Sequence, residues 1–235
     1  MDLWKLLILG VIVLGLFLVL GRPPGFPKLP EGLRIEEGTF RILSQAGTRE
    51  EIFGIYPVEA GFRVVSILHE RGKVLVEADF LYGLDWTPLA GTITQREPAK
   101  MRWLFAFSEE EVVIRRQEGP REFTQNLPLS EKTFPFDHDL LAPWYGLFRE
   151  GKKDRAKLLD VRTGKTYELA IGPGEEVELL VFGRRIPVER HPVTLEEQNF
   201  WVYREGELLL GLRGEGFEAY LVEILPEGIQ ESTRG

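Results

Sequence analysis

The sequence predicts a mainly β protein, with an N-terminal transmembrane helix, one curved antiparallel sheet and one helix that covers the sheet. Residues 6–21 (LLILGVIVLGLFLVLG) contain no charged side chain. From Arg34 onward, short runs of alternating apolar residues are separated by glycine-containing turns about every 8–12 residues, which is typical of antiparallel hairpins. Residues 137–151 (DHDLLAPWYGLFREG) carry apolar side chains at helical spacing instead.

The N-terminal segment predicts a retained membrane anchor. Residues 3–21 form a stretch of 19 residues, which at ~1.5 Å per residue is just enough to cross a hydrocarbon layer of ~30 Å. Trp4 and Lys5 suit the membrane–water boundary. No Ala-x-Ala-like site precedes Gly21, so an anchor is favoured over a cleaved signal peptide. The predicted anchor positions are Leu6, Ile8, Val11, Leu14, Phe17 and Leu20.

This anchor sets the predicted domain organisation: an anchor at 1–21, a proline-rich linker at 22–33, a β domain at 34–225 with its helix near 140–149, and a flexible tail at 226–235. The basic residues on the two sides of the anchor give no clear orientation. N-terminal anchors of this kind usually act as uncleaved export signals. We therefore expect a single-pass protein of the cytoplasmic membrane with most of the chain on the periplasmic side of the cell envelope.

The strand patterns predict which residues share a face of the sheet. In one strand, alternation places these residues on a common face: Val74, Val76, Ala78, Phe80 and Tyr82. In a second strand, these residues share a face: Met101, Trp103, Phe105 and Phe107. The second strand carries Leu104 and Ala106 on its opposite face. A sheet that is apolar on both faces is usually covered on both faces.

The predicted helix begins near Leu140, because Pro143 is tolerated only in a first turn. Asp137 or Asp139 can cap its start and Gly151 its end. Its apolar stripe is predicted to lie on the sheet and consists of Leu140, Leu141, Trp144, Leu147 and Phe148.

Composition excludes several classes of function. The chain has no cysteine, which excludes disulfides, thiolate metal sites and a cysteine nucleophile. It has 37 acidic and 29 basic residues, a net charge of −8, and no basic stripe for nucleic acid. The three histidines, His69, His138 and His191, are far apart in sequence.

No catalytic, metal or cofactor site is predicted. None of the serines lies in a Gly-x-Ser-x-Gly elbow. Asp137, His138 and Asp139 are adjacent, and neighbouring residues of a strand point to opposite faces, so a helix cap with a surface histidine explains them better than a metal site. The chain is therefore predicted not to be an enzyme.

The aromatic side chains allow two interpretations. They fill a solid core, or some of them line a cavity or groove for an acyl chain. In the second case the predicted lining residues are Trp103, Phe105, Phe107, Trp144, Phe148 and Trp201.

Two stretches resemble a known group of envelope proteins. One runs through residues 78–88 (ADFLYGLDWTP) to Phe136-Asp137, Leu140-Leu141, Tyr145 and Arg149, and the other comprises residues 178–183 (ELLVFG) and 199–209 (NFWVYREGELL). They are similar to the LolA/LolB-like superfamily, in particular its DUF3108-type members, whose curved sheet forms a half-barrel covered by helical segments. The anchor without a lipoprotein cysteine resembles a second family, the LptC-type anchored β-jellyroll. Both resemblances imply handling of lipid or lipoprotein.

Three hypotheses about function follow. The first is a membrane-anchored extracytoplasmic β-domain that binds or passes on a lipid, an acyl-chain ligand or a lipoprotein, without a cofactor. The alternative is a non-catalytic structural or interaction module of an envelope membrane complex, with a solid core. The third is an enzyme acting on envelope polymers. The expected partners are the membrane, a lipid or lipoprotein and an envelope protein, and no nucleic acid.

Overall fold

The computed structural model describes residues 36–149, 154–181 and 184–225, which form one large curved sheet and one short helix. The strands of the first half are β1 (Glu36–Ser44), β2 (Gly47–Val58), β3 (Gly61–Glu70), β4 (Lys73–Gly83), β5 (Pro88–Gln95), β6 (Met101–Phe107), β7 (Glu111–Glu118) and β8 (Arg121–Pro128). The second half comprises β9 (Thr133–Phe136), helix α1 (Ala142–Arg149), β10 (Arg155–Asp160), β11 (Lys165–Ile171), β12 (Glu175–Val181), β13 (Arg184–Leu195), β14 (Gln198–Glu205), β15 (Leu208–Gly214) and β16 (Phe217–Leu225). The predicted mainly β fold is therefore confirmed.

The predicted anchor, linker and tail (1–21, 22–33 and 226–235) lie outside the described residues. Within the described ranges, no helix has the length and apolar character needed to cross a bilayer.

The sheet is a meander that closes back on its first strand. Strands β1 to β8 pair in sequence order, and β1 pairs on its other side with β16. From β16 the order continues through β15, β14, β13, β11 and β10 to β9, while β12 pairs with β13. One pair, β9 with β10, is parallel, and α1 lies in the connection between them, because a parallel pair needs a crossover.

Glycine turns produce the tight hairpins that the sequence predicts. Glu70 pairs with Lys73, so only Arg71 and Gly72 form the β3–β4 loop. Both have positive φ, 50° and 79°, as a two-residue hairpin with the twist of the strands requires.

The curvature of the sheet brings its two ends together. Arg162, in the β10–β11 turn, donates from Nη1 to Oε1 of Gln95 on β5, at 3.4 Å. A Cβ on Gly164 of the same turn would lie 3.0 Å from the Gln125 amide oxygen on β8. In the described part of the chain, however, β8 pairs only with β7 and β9 only with β10, so the sheet stays open at this seam.

Both faces of the sheet carry buried apolar side chains. The inner face holds the main core, and a second cluster of Ile52, Tyr56, Val65 and Ile67 lies on the outer face of β2 and β3. Val74 packs on this outer cluster, contrary to the prediction that it shares a face with Val76. The register shifts between Leu68 and His69, which pair with Val76 and Val74, and such a bulge moves a side chain to the other face.

Candidate ligand groove

Helix α1 fills the inner side of the curved sheet. Its first seven residues are buried, and the helix packs against β3, β9 and β15. At Gly146, an added Cβ would lie 2.4 Å from the Tyr82 ring, so the helix backbone rests directly on β4. The space between α1 and the sheet is occupied by side chains.

The start of α1 is fixed by a carboxylate from the sheet. Glu51 on β2 is fully buried, and its carboxylate accepts hydrogen bonds from the Ser66 hydroxyl at 2.5 Å and from the backbone N–H groups of Leu141 at 2.6 Å and Ala142 at 2.9 Å. Burial raises the pKa of Glu51 to about 7, although these donors oppose the shift. The prediction that Asp137 or Asp139 caps the helix is therefore wrong, because the first helical N–H groups point into the core, where only an inward-facing side chain reaches them.

Two further contacts hold the other end of α1. Arg149 pairs with Glu36 on β1, and the Tyr145 hydroxyl donates to the Leu209 carbonyl at 3.4 Å. Burial raises the pKa of Tyr145 well above its usual value. The Tyr82 hydroxyl is buried without a hydrogen-bond partner in the described part of the chain.

The structure brings five of the six predicted lining residues to the inner side and places one on the outer side. Phe105, Trp144 and Phe148 are buried in the core, with Trp144 stacked on Phe148 at 6.2 Å. Phe107 packs edge-on against Phe105. Trp201 alternates with the buried Phe200 and Val202, and its ring lies under Arg190 at 4.4 Å on the outer face.

Trp103, the remaining predicted residue, lines a groove at the seam of the sheet. This seam groove has a volume of about 300 Å³ and is bounded by β6, β7, β8 and the β10–β11 turn; its lining residues are Trp103, Ile114, Arg116, Phe123, Thr124, Gln125, Val161, Arg162 and Thr163. The volume lies at the lower end of the range for small-molecule sites.

The floor of the groove follows from the strand register. Trp103, Arg116 and Phe123 stand side by side on β6, β7 and β8, with Ile114 and Gln125 in the adjacent row. Trp103 and Ile114 are 4% and 5% exposed, whereas Phe123 is 47% exposed. The Arg116 guanidinium lies 4.7 Å from the Phe123 ring centre. The groove therefore has buried apolar side chains beneath it, one exposed aromatic ring and one cationic wall.

The opposite wall is held by ion pairs in which Asp137 is buried and the other members are partly exposed. Arg162 contacts Asp137 at 2.5 Å and Asp139 at 3.1 Å, and its guanidinium lies 5.5 Å from the Trp103 ring. Arg49 on β2 also contacts Asp139, at 3.3 Å. Burial raises the pKa of Asp137, although Arg162 opposes the shift. The Asp137-His138-Asp139 sequence thus joins the β9–α1 loop to β2 and to the β10–β11 turn.

A second groove lies on the outer face and differs in character. It has a volume of about 560 Å³ between β3 and β6 and includes Glu77, Asp79, Arg96, Lys100 and Arg102. Its acidic groups are already paired, Asp79 with Arg63 at 2.6 Å and Glu77 with Arg96 at 2.5 Å. Its lining contains no aromatic side chain, unlike that of the seam groove.

Sequence reasoning missed Arg116, Phe123 and Arg162 as groove residues. The signal for Arg116 was present, because it stands two and four positions after the apolar Ile114 and Val112 and so has the same position in a strand alternation. Arg162 carried no such signal, since the turn that contains it meets β5 only through the curvature of the whole sheet.

Comparison with known proteins supports the fold. No protein-family model matches the sequence, and no curated protein matches it. Among solved structures, a β-barrel-like protein of the domain of unknown function DUF1849 from Brucella abortus is similar over 83% of this chain and 99% of its own, at 10% identity and a TM-score of 0.52. The hypothetical lipoprotein YmcC from Escherichia coli K12 aligns over 86% of this chain and 93% of its own at 9% identity, with a TM-score of 0.27, too low to establish a shared fold.

Proposed function

We propose that this protein is a membrane-anchored extracytoplasmic β-domain that binds an acyl-chain ligand or an acylated protein segment at the seam groove. The observation that carries the proposal is a groove over Trp103, Ile114 and Phe123 on β6, β7 and β8, where β8 has no second neighbouring strand among the described residues. Apolar surface that stays open on a folded domain marks binding sites. The resemblance to LolA/LolB-like, DUF3108-type and LptC-type envelope proteins, all linked to lipid or lipoprotein, supports the same function.

The filled inner side determines how such a ligand would bind. The helix and the core side chains occupy the centre of the fold. An acyl chain would therefore be only partly buried, in the groove at the seam. This geometry suits a protein that presents a ligand to a partner at the periplasmic face, without a cofactor and without a catalytic step.

The test is site-specific photolabelling of the full-length protein in nanodiscs of neutral phosphatidylcholine. A diazirine analogue of monopalmitoylglycerol is expected to label peptides from β6 to β8 and from the β10–β11 turn. Phe123→Ser should reduce this labelling about tenfold, because it removes the exposed apolar wall. Leu180→Ser is the matched control, since Leu180 is 68% exposed and lies on β12. Labelling elsewhere, or equal loss in both variants, would refute the proposal.

One observation favours the alternative, an interaction module of an envelope complex. Strand β8 pairs on one side only within the described chain, and most of its residues are exposed. An unpaired edge is a template for a strand from another protein. If a partner uses this edge, a photoreactive residue at Asn126 should crosslink to one stoichiometric protein in native envelopes, and Thr124→Pro should abolish the crosslink.

A further inference from the structure

Two buried N–H donors that face the seam groove have no acceptor. Nε1 of Trp103 and Nε of Arg116 are both buried without a hydrogen-bond partner in the described part of the chain. The two residues are direct neighbours across β6 and β7, so both belong to the same stretch of floor. Buried donors in folded proteins are nearly always paired. An acceptor is therefore missing for two adjacent donors, and both donors belong to residues that line the seam groove.

The charges of the groove indicate what kind of acceptor is missing. Arg162 is compensated by Asp137 and Asp139. Arg116 has no carboxylate within ion-pair distance among the described residues, and its guanidinium lies 4.7 Å from the centre of the Phe123 ring. The groove thus holds one unmatched positive charge beside an unmatched indole N–H.

The Tyr82 hydroxyl is also buried and unpaired in the described part of the chain, but it lies away from the groove. Its ring lies against the backbone of α1 at Gly146, where an added Cβ would lie 2.4 Å away, so no ligand can reach it there. The donors of Trp103 and Arg116 differ because an open volume of about 300 Å³ adjoins them.

We infer that the seam groove binds the anionic oxygens of an amphiphile, a carboxylate or a phosphate, between Arg116 and Trp103. The inference rests on the proposed function, since the apolar tail of the same molecule would lie on Ile114 and Phe123. A planar or tetrahedral oxyanion offers several lone pairs to the guanidinium and can accept the indole N–H as well. A neutral headgroup satisfies these donors less well, because charge-assisted hydrogen bonds are the stronger ones.

The experiment compares headgroups on one chain. Full-length protein in neutral phosphatidylcholine nanodiscs is photolabelled with diazirine analogues of palmitate and of monopalmitoylglycerol. We expect palmitate to label the groove peptides at concentrations about tenfold lower than the neutral probe, because it adds a charge-assisted contact. Equal half-labelling concentrations would overturn the inference and leave the proposed function standing. Absence of groove labelling by both probes would overturn the proposed function.

Two variants test whether Arg116 and Trp103 cause the preference for the anionic probe. Arg116→Gln should reduce the ratio between the half-labelling concentrations of the two probes to about one. Trp103→Phe, which keeps an aromatic ring, should reduce this ratio about threefold, since one neutral donor is lost. The controls are Arg115→Gln, whose side chain lies on the other face of β7, and Trp201→Phe on the outer face. An unchanged ratio in Arg116→Gln would contradict the inference. Thermal unfolding of each variant verifies that it is folded.

Competition with tail-free anions distinguishes the source of the oxyanion. Acetate or inorganic phosphate at millimolar concentration should leave palmitate labelling unchanged if the tail contributes to binding. Full displacement by either small anion would show a site for free anions and overturn the assignment to an amphiphile.

Discussion

The space under α1 and the seam groove lie on the same face of one sheet, but only one of them is filled. Under α1, Phe148 is 1% exposed and the first helical N–H groups are bonded to Glu51. At the seam, Phe123 is 47% exposed and lines an open groove. Helix α1, in the connection between β9 and β10, covers one part of the sheet. A groove remains where the β10–β11 turn lies beside β6, β7 and β8. The difference separates the region that stabilises the fold from the region available to a ligand.

The largest expected contrast comes from truncating one phenylalanine in each region. Phe148→Ala should lower the free energy of unfolding by about 3–5 kcal/mol, because it opens a cavity in a packed core. Phe123→Ala should lower it by less than about 1 kcal/mol, since half of that ring is already in water. Denaturant unfolding of both variants measures the two values, and similar losses would show that the regions do not differ in packing.

The two arginines of the seam groove provide the next contrast. Arg162→Gln should cost about 3 kcal/mol, because Asp137 is left as a buried and unpaired carboxylate. Arg116→Gln should change stability by less than about 0.5 kcal/mol, since no carboxylate in the described chain depends on it. Chemical denaturation at neutral pH compares them. A large loss in Arg116→Gln would mean that its charge is already compensated within the protein.

The pH dependence of stability tests how Glu51 holds the helix. Its folded pKa of about 7 lies above the ordinary value of 4.5, so the folded state binds an extra proton between these values. The contribution of Glu51 is therefore largest below about pH 4.5 and falls by up to about 3 kcal/mol as the pH rises through about 7.

Glu51→Gln is the control for this prediction, because it removes the titrating group at the same position. Unfolding free energies at pH 5 and pH 8 should differ more in the wild-type protein than in the variant. A difference of the same size in both proteins would mean that other groups, such as Asp137, cause the pH dependence.

A smaller loss than those of Phe148→Ala and Arg162→Gln is expected at the contact between α1 and Tyr82 of β4. Gly146→Ala should destabilise the protein by about 2 kcal/mol, because the new methyl group meets the Tyr82 ring. In a protein that already carries Tyr82→Leu, Gly146→Ala should cost less free energy of unfolding, because the ring that the new methyl group meets is gone. A double-mutant cycle measured by thermal unfolding gives the coupling energy between positions 146 and 82. Additive effects of the two substitutions would show that contact with the Tyr82 ring does not cause the destabilisation by Gly146→Ala.

Local patterns were sufficient where the sheet repeats simple hairpins. Alternation in 101–107 correctly predicted that Met101, Trp103, Phe105 and Phe107 share one face, and the helical spacing near 140–149 located α1 within two residues of its start. The pattern failed at Val74, because a bulge of one residue changes the face without changing the residue types. It also failed at the helix cap, where Glu51 comes from a strand 90 residues away from Leu141.

The sequence by itself determined the short strands, the tight turns and helix α1, because these depend on residues a few positions apart. Only the tertiary structure decided that β1 joins β16, that α1 fills the inner side and that the β10–β11 turn stops beside β6, β7 and β8. Each of these depends on the summed twist and curvature of many strands, which no local window of the sequence contains. The seam groove is a consequence of that curvature.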